Sequence, residues 1–105
     1  MATGRLGVAD LAATTDTSVY TVPASKVATC NVSVCNRNAT AVTVRLALCA
    51  SATPAATEYI EYGTSIPANG VLERTGLVLD AAKILVAYGS GTGISVVVWG
   101  FEDAA

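Results

Sequence analysis

The sequence predicts an all-β chain: an antiparallel β-sandwich, jelly-roll-like, of about seven or eight strands. Three observations carry this. Turn-forming residues recur about every eight to twelve positions. Between them lie short runs rich in Val and Thr, residues that fit a pleated, half-buried surface. No segment shows a sustained helical period, and the one candidate for a helical turn is 80–83.

Taken in order, the strands are expected at 5–10 (loosely), 18–22, 27–35, 41–49, 58–62, 71–79 (interrupted near Gly76), 84–88 and 93–102. Eight strands suit a jelly roll; six or seven suit a simpler sandwich. Residues 1–16 read as an N-terminal arm or edge strand, and 17–105 as the sandwich domain. Pro23-Ala-Ser-Lys-Val27 and Pro67-Ala-Asn-Gly-Val71 each open a strand, a reuse of one good strand-starting turn. The runs 27–35 and 41–49 read as a hairpin. Ala28, Cys30, Val32 and Val34 share one face of the first, and Val42, Val44, Leu46 and Leu48 one face of the second. Matching these faces pairs Val34 with Val42 and Cys30 with Leu46, with 36–40 turning the corner. The opposite face, Thr29, Asn31, Ser33, Thr43 and Arg45, is polar. Gly89-Ser-Gly-Thr-Gly93 is a hairpin tip, since a phosphate cradle needs a helix behind it and usually a lysine within it.

The last strand departs from the alternation of a lone soluble sandwich. Ile94, Val96 and Val98 point one way; Val97, Trp99 and Phe101 point the other. A strand that is apolar on both faces needs cover on both, and no helix in the chain offers the second. The outer face is therefore expected to contact another subunit; burial under the chain's own loops is the alternative.

Composition narrows the function. The 105 residues amount to one domain, large enough to bury a core unaided. Charged residues make up only 13% and the net charge is −2, which argues against nucleic-acid binding and suits a protein packed in an assembly. Histidine, the commonest general base and a common zinc ligand, is absent from the sequence. No apolar stretch is long enough for a membrane helix. Residues 1–10 lack the basic-then-apolar pattern of a secretory signal, so folding in a reducing cytoplasm is expected.

No constellation points to catalysis, and the expectation is a non-enzyme without cofactor or metal. Serines and threonines have no plausible activating base. Glu58 and Glu61 fall on opposite faces of a strand, where they cannot flank one substrate, and they read as ordinary surface charge. Of the three cysteines, Cys30 is assigned to the core, and Cys35 and Cys49 to the outside, at opposite ends of the hairpin. On the order of 20 Å would separate those two, too far for a disulfide, so both read as free thiols, with a bond between subunits as the alternative. Asn38-Ala-Thr40 matches a glycosylation acceptor but signifies an exposed turn. Glu73 and Arg74 point to opposite faces and, with Arg45, are candidates for register-setting contacts across strands or subunits. Tyr59, Tyr62 and Tyr88 could serve a sugar site if the fold placed them together.

Several phrases together resemble small structural proteins of tailed-bacteriophage virions: Leu11-Ala-Ala-Thr-Thr-Asp-Thr17, Tyr20-Thr-Val-Pro-Ala-Ser25, Val42-Thr-Val-Arg-Leu46, Tyr59-Ile-Glu-Tyr62, Ile66-Pro-Ala-Asn-Gly-Val-Leu-Glu-Arg-Thr-Gly-Leu-Val-Leu79 and Trp99-Gly-Phe-Glu102. The resemblance spans nearly the whole chain, and 66–79 is its most distinctive part. It implies a compact, often jelly-roll-like sandwich that decorates or cements a capsid as a homodimer or homotrimer bound to the major capsid protein. Related sandwiches occur in tails, baseplates and fibres. No catalytic residues carry over, and the cysteines depart from the pattern. The resulting expectation is a virion protein, assembled in the host cytoplasm, with an interface built on Val97, Trp99, Phe101, Arg45, Glu73 and Arg74. A carbohydrate-binding module is the further alternative.

Overall fold

A computed structural model describes residues 2–105. Eight strands form: β1 (Thr3–Asp10), β2 (Thr17–Thr21), β3 (Lys26–Asn36), β4 (Val42–Cys49), β5 (Tyr59–Ile66), β6 (Val71–Leu79), β7 (Ile84–Gly89) and β8 (Ile94–Ala104). They make two antiparallel four-stranded sheets. Sheet A has the order β1-β8-β3-β6 and sheet B the order β2-β7-β4-β5. This interleaved order is that of a jelly roll. Of the seven connections between consecutive strands, only β4 to β5 joins neighbours in one sheet; the other six cross between sheets.

That crossing corrects the expected hairpin. β3 and β4 are not paired. β3 lies between β8 and β6, with Val34 opposite Val96 and Leu72, while β4 lies between β7 and β5, with Leu46 opposite Ala87 and Glu61. The assigned faces nonetheless both look inward: Ala28, Cys30, Val32 and Val34 are buried, as are Val42, Val44 and Leu46, with Leu48 half-buried. Two matching apolar faces meet equally well side by side or across a core, and here they meet across it. Ile94, Val96 and Val98 of β8 complete the sheet A side, and Leu85 and Ala87 of β7 the sheet B side. Leu11, Val22, Ile66 and Leu79 plug the ends.

The 36–40 segment is accordingly an arch between sheets, and Asn36 holds it. This residue continues the inward parity of β3 and is fully buried. Its side-chain amide donates to the carbonyls of Thr40 (2.9 Å), Ile66 (3.2 Å) and Pro67 (3.1 Å), and its Oδ1 accepts from the backbone N–H of Asn38 (2.9 Å). A buried amide so engaged escapes the cost of an unpaired polar group and ties two loops at one end of the sandwich.

The two similar turns are used alike. Lys26 N donates to Pro23 O and Gly70 N to Pro67 O, with positive φ at Ser25 (62°) and Asn69 (57°). Each carries the chain from sheet B into sheet A.

Two further expectations change. The helical turn lies at Ala56–Glu58 and not at 80–83. In the latter segment Ala82 has φ 66°, and Lys83 folds back on Asp80 through its backbone N–H (3.2 Å) and its ammonium (3.1 Å), making a reverse turn. In 71–79 the interruption is a bulge within a continuing strand. Gly76 takes φ 68°, β6 gains one residue between the Cys30–Leu77 and Val32–Arg74 pairs, and the Gly76 N–H donates to Asn31 Oδ1 (3.1 Å).

Candidate functional site

The candidate residues fall on the two outer faces of the sandwich and on one open side. On sheet A, strand parity turns Val97, Trp99 and Phe101 outward from β8. Register places Val8, Arg5 and Thr3 of β1 beside them on one flank, and Ser33, Asn31 and Thr29 of β3 on the other. Phe101 is 43% exposed and Val8 53%, while Val97 and Trp99 are half-buried among strand neighbours. The helical turn packs on β4 in the other sheet and gives this strip no cover. Glu73 shares the face, opposite Ser33, two strands away from the apolar strip.

Gly100 shapes the strip. It sits between Trp99 and Phe101 at φ 153°, opposite Gly4 on one side and Cys30 on the other. A Cβ there would stand 2.1 Å from Thr29 O and 2.7 Å from Cys30 Cα, so only glycine lets β8 lie this close to β3.

Arg45 is on the opposite sheet. It occupies the middle of β4's outer face, with Tyr88 of β7 and Tyr62 of β5 as its register partners. Its guanidinium carbon lies 4.3 Å from the Tyr62 ring centroid and 4.4 Å from that of Tyr88. Tyr59 meets Tyr62 edge-on, with centroids 4.9 Å apart and planes at 80°. The three tyrosines thus share one surface.

Cys49, assigned to the outside, does point to the outer side of β4 but is fully buried. It packs with Ala47 and Val86 against Tyr59 and Ile84. Burial, followed by the nearby Glu58 carboxylate, pushes its thiol up to about 11, far from a reactive thiolate. Cys30 is buried in the core, its pKa likewise raised by burial, and Cys35 is half-buried; all three are free thiols. Glu58 accepts from the N–H groups of Ala55 (2.8 Å) and Ala50 (3.0 Å), closing the loop before β5, and these bonds hold its carboxyl below the usual range.

Arg74 is engaged within the chain. It and Glu61 both take inward parity on the edge strands β6 and β5 and form an ion pair across the open side of the sandwich. Thr64 Oγ1 also donates to Glu61, which is 8% exposed. Near the opposite side, the Tyr20 hydroxyl donates to Glu102 Oε2 (2.6 Å), and the Ala2 N–H to Glu102 Oε1 (3.3 Å). Sequence reasoning did not single out Asn36 or Glu102, although each continues the inward parity of an apolar strand, the mark of a buried polar group that needs a partner.

Among the described residues, no three His, Cys, Asp or Glu side chains are grouped to hold a metal ion, and no helix is long and apolar enough to cross a membrane. No family model, curated protein or solved structure matches the chain.

Proposed function

We propose that this protein is a structural component of a tailed-phage virion, most simply a capsid decoration (cement) protein that acts as a homodimer or homotrimer on the major capsid protein. The observation that carries this reading is the apolar strip on the outer face of sheet A, in which Val8 and Phe101 are exposed and Val97 and Trp99 half-buried. Three further points support it. The fold is a jelly roll, an architecture common in viral shells. The low charge content suits close packing of many copies. The sequence resembles virion sandwich proteins.

The mechanism is area and avidity. A shell repeats one binding site many times, and an oligomer bridging two capsomers must lose both contacts before they separate. Trp99 is the best anchor, since interface energy concentrates in aromatic side chains that become buried.

The test uses light scattering of the purified protein and its binding to particles of the encoding phage. The wild type is expected to be oligomeric and to bind shells. Trp99→Ala should lose both properties, whereas Asp16→Asn, an exposed charge outside the strip, should keep them. Equal oligomer mass and equal particle binding for Trp99→Ala would refute the reading. A tail, baseplate or fibre component would use the same surface at far fewer copies per virion, which quantitative mass spectrometry of particles separates.

A further inference from the structure

The outer face of sheet B carries a surface of different chemistry. Tyr59, Tyr62, Pro54 and Ala56 line an open cleft with a cavity volume of about 600 Å³. Tyr62 is 64% exposed. Both walls are held in place. Arg45 stacks on Tyr62 and is itself stacked on Tyr88. The loop that contributes Pro54 and Ala56 is closed by Glu58 through its bonds to Ala50 and Ala55. Among the described residues the Arg45 side chain makes no ion pair or hydrogen bond, so its stacking on the two rings is its main engagement.

We propose that this cleft binds a neutral hexopyranose unit of an oligosaccharide. Tyr59 and Tyr62 stand at 80° to each other, so the cleft presents aromatic surface in two orientations. A pyranose has matching parts: an apolar C–H face to lie on the aromatic ring and a rim of hydroxyls to exchange hydrogen bonds with the tyrosine hydroxyls. Among the described residues the cleft lining is uncharged, and the nearby Arg45 guanidinium is engaged on the Tyr62 ring, so the ligand need carry no charge. The rings are already oriented, so little side-chain entropy is lost on binding. A proline-rich peptide fits less well, because it docks along an extended aromatic-lined groove and not in a single cleft. The inference rests on sheet B alone and is independent of the role given to Trp99.

The experiment titrates the full-length protein with maltotriose, cellotriose and mannotriose, followed by amide NMR shifts. A saturable response centred on Tyr59 and Tyr62 is expected for at least one sugar. Tyr62→Ala should weaken that binding about tenfold. Tyr62→Phe, which keeps the ring and removes the hydroxyl, should weaken it less, and Asp103→Asn, an exposed position on sheet A, should leave it unchanged. Silence with all three sugars overturns the proposal, as does binding that survives Tyr62→Ala. Shifts of the same residues by a proline-rich decapeptide but by no sugar also overturn it. Oligomer and particle assays on the same samples report on the sheet A reading separately.

Discussion

Outward-pointing apolar side chains meet different fates on the two sheets. On sheet B, Ala47, Cys49 and Val86 face out yet are buried, because Tyr59 and Ile84 lie against them and the helical turn packs on β4. On sheet A, Val8 and Phe101 face out and stay open, with Trp99 and Val97 shielded only from the side. The long connection between β4 and β5 makes the difference. Among the described residues it is the only same-sheet link between consecutive strands, and it has residues to spare for a cover. Where the fold supplies a roof, apolar parity signifies a secondary core; where it supplies none, the same parity signifies a surface waiting for another molecule.

Substitutions can break this contrast. The largest effect is expected for Gly100→Ala, which drives a Cβ into Thr29 O in the middle of sheet A and should cost at least about 3 kcal/mol in denaturant unfolding. Tyr59→Ala should come next, at about 2 kcal/mol, because it unroofs Cys49 and Val86. Thiol titration of the native protein should then find Cys49 reactive, where the parent hides it. Arg74→Ala leaves the Glu61 carboxylate without its cation. Since the Arg74 side chain is half exposed, a loss of only about 1 kcal/mol is expected. Phe101→Ala on sheet A should change monomer stability by no more than about 0.5 kcal/mol, and a loss matching that of Tyr59→Ala would erase the distinction between the faces.

The Tyr20–Glu102 pair sharpens the picture through pH. Glu102 is held below its ordinary value of 4.5, chiefly by the bond from Tyr20. Its stabilisation is present above that value and is lost as pH falls through the lowered folded-state value. Tyr20 is shifted upward from 10.0, first by burial and then by its bond to Glu102. Its contribution is complete below 10.0 and declines as pH rises beyond it. Tyr20→Phe should therefore lessen the alkaline decline, to which the raised Cys49 and Cys30 thiols also contribute, and make the acid limb of the stability profile shallower, measured by thermal melts across pH.

The side of each strand was legible in the sequence, because parity is a local property with period two. Followed one step further, that parity reaches Asn36 on β3 and Glu102 on β8, both buried and both bonded. Strand partners were not legible. With six of seven connections crossing between sheets, the hairpin expected of β3 and β4 has the right faces and the wrong geometry. The meeting of Arg45 with Tyr62 and Tyr88 was hidden for the same reason, since it depends on β5 and β7 flanking β4. Cys49 was misplaced because its cover comes from Tyr59 on β5 and from Ile84 and Val86 on β7, beyond what alternation within a strand reports.

The position of β8 also governs when the molecule can form. β1 has β8 as its only sheet neighbour, and β3 needs β8 on one side. Until β8 is made and docked, sheet A lacks its second strand and the first strand has nothing to pair with. Sheet A therefore closes last, and such non-local closure belongs with the slower folding topologies.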